Sequence, residues 1–513
     1  MTLLFFIVQR VLQPLYFLYF LAYNTYTLLL VLLSARRVQR RVTEQYTDDL
    51  DLIDSSVSTK PITMIVPAYN EEVTIVDTVN NMLHLDYPHL EVVVVNDGST
   101  DGTMQKLREA FRLRRNDLPY RAGIGTMPLR AMYEANIPLP PSVAHLYVLD
   151  KENGGKADAL NAGINAATAP YVVSLDADSI LDPLALKAMM RTLQEDPRIV
   201  AVGGQVAIAN GCTIRSGRVV SLGVPKSPVA LFQMVEYLRS FTTGRTALDA
   251  LDSVLILSGV FAVFDKETLV RAGGYLTPFI NHKLTEEYVG GRFATVCEDM
   301  EVVVRLHRYL RDKGLPGRVA YLPLAVAWTE CPESLDSLRK QRGRWFRGLR
   351  ESLRYHRAML FNPRYGRVGW FALPAFWLFE YYGALLEFSG YLLLVLALLV
   401  SLISPTPLLS WNALLLFALA ALGYGILVNV VAVLVGVWRF RLGIANPIQR
   451  GLLPFARRRD VLKLLFYAVL ENFGYRQLTL WWRLRGWWDA KRGKTSWEKF
   501  ARVGFKQSVK SEE

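Results

Sequence analysis

The chain has 513 residues, 51% of them hydrophobic, and its formal net charge is +13. Its cysteines (Cys212, Cys297 and Cys331) lie far apart without a CxxC pair, so the sequence predicts neither a zinc ribbon nor a disulfide framework. The positive charge is concentrated beside apolar segments, and no aromatic-interleaved nucleic-acid motif accompanies it. We therefore expect contact with membrane lipid head groups and no nucleic-acid partner.

The first long apolar segment runs from Val11 to Ala35 without a charged residue. About 20 apolar residues cross the hydrocarbon core of a bilayer, and the segment lacks the small-residue cleavage site of a signal peptide. Arginines are abundant just after this segment, whereas only Arg10 precedes it. Because positive charge favours the cytoplasmic side, we predict a transmembrane helix over residues 1–35, with the N-terminus outside, and a cytoplasmic basic linker over residues 36–59.

Residues 60–332 have the pattern of an α/β domain. Short β-branched runs such as ITMIVPAYN, LEVVVVNDGS and YVVSLDADS alternate with helical patterns. Near-continuous apolar runs are typical of strands that are buried on both faces of a mostly parallel sheet. In such sheets ligands bind beyond the carboxyl ends of the strands, so the polar residues that end each run are candidate binding residues.

Two carboxylates end one of these predicted strands. In SLDADS, Asp176 and Asp178 suit a hard divalent cation that shares its oxygen ligands with substrate phosphates. The alternative is a loop in which the aspartates cap a helix beginning near Pro183, and these residues alone do not separate the two. Upstream, KENGGKADALNAG places Lys156 at a glycine-rich turn before a helix, which suits a diphosphate although the Walker A pattern is absent.

A second pair of carboxylates follows a cysteine in ATVCEDMEVVVRLHRYL. Glu298 and Asp299 at a helix start are stabilised by the helix dipole, which favours their ionised forms and is a sufficient structural reason for them. Cys297 lacks a neighbouring histidine that could activate it, so a thiol nucleophile is not expected. A metal site and a catalytic base are the other chemical interpretations, and these residues alone leave both open.

Residues 333–387 carry many arginines among apolar residues, as helices at a membrane surface do. Within them, QRGRW groups Gln341, Arg342, Arg344 and Trp345. Arginine and tryptophan suit diphosphate recognition and sugar stacking, but they also favour membrane edges, so the pentapeptide alone leaves both interpretations open.

Two further transmembrane helices are predicted within residues 388–438, which contain no charged residue and are divided by the turn sequence SPTP. Residues 439–513 form a predicted cytosolic basic loop, helix and C-terminal tail. We expect the charged segment 461–482 to be interfacial or re-entrant, because a crossing there would place the basic tail outside.

Six pieces in chain order resemble the motifs of membrane-integrated family 2 glycosyltransferases: VPAYNEE, VVNDGSTDGT, NGGKADALNAG, SLDADS, CEDM and QRGRW. This group includes processive cellulose, hyaluronan, chitin and poly-N-acetylglucosamine synthases. The resemblance implies an α/β nucleotide-sugar transferase domain of GT-A type. Its mixed, mostly parallel sheet would be embedded between transmembrane and interfacial helices.

The resemblance also implies roles for the matching residues. For the nucleotide sugar it implies Tyr69, Glu71, Asp97, Lys156, Asp176 and Arg344. For a metal, Mg²⁺ or Mn²⁺, it implies Asp178. For catalysis it implies Asp299 as the base and Glu298 as a supporting carboxylate. For the acceptor it implies Gln341, Arg342 and Trp345, and for nucleotide gating it implies Trp497 and Arg502. The family's threonine is replaced by Cys297 in this chain.

The implied function is inverting, metal-dependent transfer of a sugar from a nucleotide sugar, expected to be a UDP-sugar, to a growing β-linked polysaccharide. Export across the bacterial inner membrane, with a cytoplasmic catalytic domain, would accompany synthesis. One alternative is a non-processive membrane glycosyltransferase that acts on a lipid or short glycan. Another, from a different class, is a transporter or membrane scaffold.

Overall fold

The computed structural model describes residues 6–47, 50, 52–56, 59–117, 120, 122–215, 218–280, 282–291, 295–403, 410–443 and 457–491. The predicted turn at 404–407 and the gating candidates Trp497 and Arg502 lie outside these ranges.

The strands of the described chain build one large sheet and one small hairpin. They are β1 (Ile62–Ala68), β2 (Leu90–Asp97), β3 (Arg114–Asn116), β4 (Leu129–Glu134), β5 (Val143–Lys151), β6 (Tyr171–Leu175), β7 (Ser179–Leu181), β8 (Ile199–Ile208), β9 (Thr213–Arg215), β10 (Arg218–Ser221), β11 (Phe261–Asp265) and β12 (Arg318–Thr329). The large sheet has the order β3-β4-β5-β2-β1-β6-β11-β8-β12-β7, and β9 pairs with β10 in the hairpin.

The large sheet is mixed, as predicted. Strands β5, β2, β1 and β6 run parallel to one another at its centre, and β8 is parallel to β12. Strand β11 runs antiparallel between β6 and β8. Antiparallel pairs also form both edges, so the sheet is less parallel than the apolar runs suggest. The antiparallel β11 begins beside the end of β6, where the site lies.

The α-helices described between residues 52 and 355 lie among these strands in the chain. They are α2 (Leu52–Ser55), α3 (Ile75–Leu83), α4 (Thr103–Phe111), α5 (Lys156–Ala166), α6 (Ala185–Glu195), α7 (Pro228–Tyr237), α8 (Arg245–Ala250), α9 (Lys266–Arg271), α10 (Lys283–Val289), α11 (Glu298–Asp312) and α12 (Leu335–Tyr355); the long α1 (Gln13–Thr47) precedes them. A π-helical turn, Leu238–Gly244, joins α7 to α8.

Successive residues of each central strand enter opposite cores because side chains alternate across a sheet. Met64 packs in one apolar cluster, and Ile65 packs in the cluster on the other face. Gly163 of α5 faces Ile65, and a Cβ atom there would lie 2.2 Å from its Cγ2 atom. The glycine therefore lets α5 lie close to β1 and fixes the first turn of α5, which carries Lys156, at the edge of the sheet.

Three helical segments of the described chain are long and apolar enough to cross a membrane: Val8–Arg37, Val368–Val400 and Asn412–Trp438. The elements after α12 are short 3₁₀ turns at Arg357–Met359 and Pro363–Tyr365, then α13 (Leu373–Ala375), α14 (Tyr382–Ile403), α15 (Trp411–Ala418), α16 (Tyr424–Gly443), α17 (Arg458–Leu470) and α18 (Tyr475–Lys491). Additional π-helical turns lie at Val8–Leu12, Val368–Ala372, Phe376–Tyr381 and Leu419–Gly423.

Because Glu380 and Glu387 are charged, the sequence predicts that the second transmembrane helix begins after them, at residue 388. The second candidate span of the structure begins earlier, at Val368. The segment Val368–Val400 is helical through both Glu380 and Glu387. Glu387 is buried and lies 2.9 Å from Arg476 of α18. An ion pair of this kind allows a carboxylate inside an otherwise apolar helix, because the partner compensates much of the charge.

Candidate active site

The carboxyl ends of β1, β2 and β6 open into a cavity of about 990 Å³. Every candidate site residue in the described part of the chain lines this cavity: Tyr69, Glu71, Asp97, Lys156, Asp176, Asp178, Glu298, Asp299, Gln341, Arg342, Arg344 and Trp345. Motifs that are more than 270 positions apart in the chain therefore meet at one place, as the strand-end argument predicts.

The loop after β1 is fastened to the loop after β2. Asn70 adopts a left-handed conformation with φ of 54° and accepts a 2.8 Å hydrogen bond from the backbone N–H of Thr100. The backbone N–H of Glu71 donates to the hydroxyl of Thr103 at 2.8 Å. These bonds hold Tyr69 and Glu71 on the cavity wall beside the end of β2.

Asp97, at the end of β2, organises the glycine-rich turn before α5. Its carboxylate accepts hydrogen bonds from the backbone N–H groups of Gly154 at 3.0 Å and Gly155 at 2.8 Å. It also accepts one from the ammonium group of Lys151 at 2.6 Å. Both carboxylate oxygens thus bind the protein itself, so the shape of the glycine turn depends on Asp97.

Lys151 is a site-supporting residue that the motif analysis missed. Its side chain is fully buried, and its ammonium group lies 2.5 Å from Asp158 as well as 2.6 Å from Asp97. The end of a buried strand is an unusual position for a charged side chain. That position was the sequence signal that could have identified it.

Lys156 joins the metal-binding candidate region to the helix that carries the proposed base. Its ammonium group lies 2.6 Å from Asp176 and 3.1 Å from Glu298. Burial disfavours the charged form, but the carboxylates of Asp176 and Glu298 outweigh it and raise the pKa of Lys156. Lys156 therefore stays cationic, and the pKa of Glu298 is lowered because this lysine outweighs the burial of the carboxylate.

Asp299 lies in the first turn of α11 and accepts hydrogen bonds from two backbone N–H groups. Gly259 donates to its Oδ2 atom at 3.1 Å, and Met300 donates to its Oδ1 atom at 2.9 Å. Burial and the neighbouring Glu298 raise the pKa of Asp299, even though Lys156 acts in the opposite direction. Burial and Glu298 thus outweigh the helix start, which favours the ionised carboxylate. A raised pKa makes it a stronger base.

Cys297 is a packing residue between two helices. Its Sγ atom lies 3.9 Å from the carbonyl oxygens of Arg344 and Trp345. A Cβ atom on Gly348 would lie 2.2 Å from this sulfur, so glycine is required for α12 to approach the start of α11. Burial raises the pKa of the thiol well above its ordinary value, which makes it a poor nucleophile.

Helix α12 presents the QRGRW residues to the cavity. The guanidinium group of Arg342 lies 2.7 Å from Glu236 and 4.4 Å from the ring centroid of Trp345. The Oε1 atom of Gln341 is buried without a hydrogen-bond partner in the described residues. Such an unsatisfied acceptor is costly unless a ligand donates to it. Glu236 was not identified from the sequence, because its helix carries no motif.

Asp178 and the nearby Asp176 are the residues that could hold Mg²⁺ or Mn²⁺. In the described chain no group of three or more His, Cys, Asp or Glu residues could hold a metal by itself. Asp176 and Asp178 nevertheless line the cavity together, and both offer only oxygen ligands. Mg²⁺ is commonly held by one or two carboxylates together with substrate phosphates, so these residues fit the metal if a diphosphate completes its shell.

The cavity continues toward the candidate membrane helices. Its lining there includes Tyr23, Glu387 and Arg476. Arg239, in the π-helical turn after α7, also lines it and lies 2.8 Å from Glu471, which follows α17. The α/β domain and the candidate membrane helices thus share the walls of one cavity.

The motifs that line the cavity match two family models. Residues 63–124 match the model described as glycosyl transferase family 2, and residues 132–348 match the one described as glycosyltransferase like family 2.

Among curated proteins, the poly-beta-1,6-N-acetyl-D-glucosamine synthase of Staphylococcus aureus (strain COL) is 31% identical over 292 residues, which are 57% of this chain and 55% of that protein. The synthase of the same name from Staphylococcus epidermidis is 28% identical over 293 residues, with the same shares of 57% and 55%. The chain spans about half the length of the curated relatives it matches.

A solved mannosyltransferase from Pyrobaculum calidifontis, in complex with GDP-Man and Mn²⁺, is similar with a TM-score of 0.47 and 20% identity. This similarity covers 90% of the present chain and 99% of the other.

The two family models together match more than half of the residues of this chain, including nearly all of the motifs that line the cavity. The chain therefore belongs to glycosyltransferase family 2.

Proposed function

We propose that this protein is a membrane-integrated polysaccharide synthase. It transfers a sugar from a nucleotide sugar, expected to be a UDP-sugar, to a growing β-linked glycan. The observation that carries the proposal is the position of Asp299, a buried carboxylate with a raised pKa, in the cavity that also contains the strand-end residues expected to bind the donor. The names of the curated relatives support a polysaccharide product.

The reaction requires one proton transfer and one bond exchange. A hydroxyl oxygen of the acceptor attacks the anomeric carbon of the donor, and its proton passes to the carboxylate of Asp299. The bond between the anomeric carbon and the diphosphate oxygen breaks, and its electron pair leaves with the nucleoside diphosphate. Attack on the face opposite the leaving group inverts the anomeric carbon, so an α-linked donor yields a β-linkage.

The donor is proposed to bind across the ends of β1, β2 and β6. Tyr69 and Glu71 would contact the nucleoside at one end, while Asp97 holds the glycine turn beside it. Asp176 and Asp178 would hold Mg²⁺ or Mn²⁺. When bound, such a cation would offset the negative charge of the diphosphate.

Positive side chains of the protein serve the leaving group as well. Lys156, which bridges Asp176 and Glu298, and Arg344, which lines the same cavity, would attract the released diphosphate. Because Lys156 remains charged next to two carboxylates, its cation is available throughout the reaction.

The acceptor is proposed to lie between Asp299 and the residues Gln341, Arg342 and Trp345. From there the cavity leads to tyrosines and ion pairs between the candidate membrane helices, including Tyr23 and the pair Arg476–Glu387. This continuity supports processive synthesis with export across the inner membrane. From the arginines after the first span we propose that the transferase domain is cytoplasmic and that the N-terminus lies outside. Export along this cavity is compatible with that orientation.

The test uses the full-length protein in nanodiscs with a panel of UDP- and GDP-sugars, with Mg²⁺, Mn²⁺ or a chelator. We expect release of nucleoside diphosphate from one donor, loss of that release with the chelator, and long glycan chains on size analysis. Single-sugar lipid products would contradict the processive mechanism and favour the non-processive alternative. Absence of diphosphate release from every donor would overturn the enzymatic proposal.

A further inference from the structure

One buried cation on the cavity wall has no part in the chemistry described above. Arg245 begins α8, has a relative exposure of 9% and lines the same cavity as Asp299. Its Nη1 atom is buried and finds no hydrogen-bond partner within the described ranges of the chain. An uncompensated buried charge weakens the folded state, so a structural role alone does not account for it.

Two other arginines of the same cavity provide the contrast. Arg239 lies 2.8 Å from the carboxylate of Glu471, and Arg342 lies 2.7 Å from that of Glu236. The charge of each is therefore paired with a carboxylate of the protein, although Nε and Nη2 of Arg342 find no hydrogen-bond partner in the described residues. Arg245 instead lies with its guanidinium group 4.0 Å from the ring centroid of Phe241, one turn earlier. Its guanidinium plane packs on this ring, while the buried Nη1 has no hydrogen-bond partner in the described residues.

The ring of Phe241 connects Arg245 to the proposed acceptor site. The ring centroids of Phe241 and Trp345 are 6.3 Å apart, and Arg342 packs on the same tryptophan at 4.4 Å. The two aromatic rings and the two flanking arginines thus form a continuous wall of the cavity. Aromatic faces with flanking hydrogen-bond donors suit a sugar, whose apolar face stacks and whose oxygens accept hydrogen bonds.

Electrostatics indicates that this wall faces the reaction centre. Burial lowers the pKa of Arg245, and the carboxylate of Asp299 is among the groups that oppose this effect. The guanidinium group in turn opposes the rise in the pKa of Asp299 that burial and Glu298 cause. A sugar bound to Arg245 would therefore lie within reach of the field of the proposed base.

We propose that Arg245 is an acceptor-binding residue whose free Nη1 donates a hydrogen bond to an oxygen of the acceptor's terminal sugar, held against the wall of Phe241 and Trp345. The inference rests on the proposed glycosyl transfer. The hydrogen bond directs the attacking hydroxyl toward Asp299 and keeps water from taking its place. Arg245 thereby controls whether the donor sugar is added to the glycan or lost to hydrolysis.

The test compares wild type with Arg245→Gln in nanodiscs, using UDP-N-acetylglucosamine or whichever donor of the panel is turned over. Two products are measured for each nucleoside diphosphate released: sugar incorporated into glycan and free monosaccharide. Loss of a hydrogen bond from a charged donor should reduce glycan formation about 10- to 100-fold. Binding of the nucleoside diphosphate should be unchanged and hydrolysis retained, so the free-sugar share rises.

Two further variants separate acceptor binding from a general loss of folding. Arg245→Lys keeps the cation without the planar fork and should recover part of the glycan share. Arg198→Gln, at a side chain that is 66% exposed, should behave as wild type. An unchanged product ratio in Arg245→Gln, or a parallel loss of nucleotide binding and both products in the Gln and Lys variants, would overturn the inference. If wild type turns over no donor, the proposed function itself fails, and this inference with it.

Discussion

The first turn of helix α11 carries three carboxylates, Glu298, Asp299 and Glu301, which belong to two side-chain clusters with different surroundings. Glu298 and Asp299 line the cavity as adjacent acids that share one nearby lysine, Lys156. Glu301, two positions further, is fully buried, and both of its oxygens are bound by Arg305 at 2.8 and 2.9 Å.

The pKa values move in opposite directions in the two clusters. Burial and Glu298 raise the pKa of Asp299. At Glu301 burial also acts to raise the pKa, but Arg305 and His356 outweigh it and lower the pKa to about 2. Burial alone therefore does not decide the charge of a carboxylate; the number of cations and donors around it does. Glu301 is thus held as an ionised partner of Arg305, whereas the proposed base Asp299 has a raised pKa.

The sharpest test of the comparison removes the proposed base. Asp299→Asn retains an oxygen for the N–H of Gly259 but cannot accept the acceptor's proton. We expect a ~100- to 10,000-fold loss of transfer, the usual contribution of a general base. The folded-state pKa of Asp299 is raised, so its ionisation costs stability as pH rises through that value. The variant should therefore have an unchanged or higher thermal midpoint at neutral pH, measured by unfolding in detergent. Wild-type turnover in the variant would remove Asp299 from the mechanism.

The same change at the second cluster should act on stability. Glu301→Gln leaves the Arg305 cation buried without its carboxylate, which costs about 3–5 kcal/mol. Because the folded pKa of Glu301 is lowered from 4.5 to about 2, its stabilisation is present above pH 4.5 and is lost as pH falls toward 2. At neutral pH the thermal midpoint of the variant should lie far below that of the wild type. Below pH 3 the difference between the two midpoints should be smaller. The exposed Glu286→Gln on α10 is the control and should leave the midpoint unchanged.

The start of α11 should also depend on its contact with α12. Gly348→Ala would place a Cβ atom 2.2 Å from the Sγ atom of Cys297, and such overpacking typically costs about 1–3 kcal/mol. Gly343→Ala is a matched control on the same helix, because its Cβ would meet no atom within 4 Å. A second change, Cys297→Gly, should restore part of the lost thermal midpoint in Gly348→Ala. Equal midpoints for the two alanine variants would contradict the packing role.

The smallest expected effect is a shift in pH dependence. Asp299 must be ionised to accept a proton, so the transfer rate should fall as pH falls through its raised pKa. Glu298→Gln removes a neighbouring negative charge, which lowers the pKa of Asp299 and moves this acidic limb to lower pH. The profile of kcat/KM against pH measures the shift. A shift to higher pH would indicate that loss of the Lys156 contact dominates.

Local sequence patterns predict much of the domain. Strands β1, β2 and β6 follow apolar runs, and the polar residues at their ends do line one cavity, because the carboxyl ends of parallel strands share an edge. The three candidate membrane helices follow from long apolar segments, whose length and composition are local properties. The roles of the individual site residues remain predictions.

Residues without a motif could not be predicted in this way. The antiparallel β11 follows Gly259, which donates to Asp299, and the apolar run of β11 does not reveal its direction or its place between β6 and β8. Arg245 becomes notable only because folding buries it on the cavity wall without a carboxylate partner, which its sequence neighbours do not reveal.

The acidic pair at residues 298–299 combines both kinds of information. Its position at a helix start is determined by the sequence, since a polar pair precedes an amphipathic run and the helix dipole favours it there. The pKa of Asp299 is decided mainly by the tertiary structure. Burial, Glu298, Lys156 and the N–H of Gly259 set its pKa, and three of these four depend on contacts that folding creates.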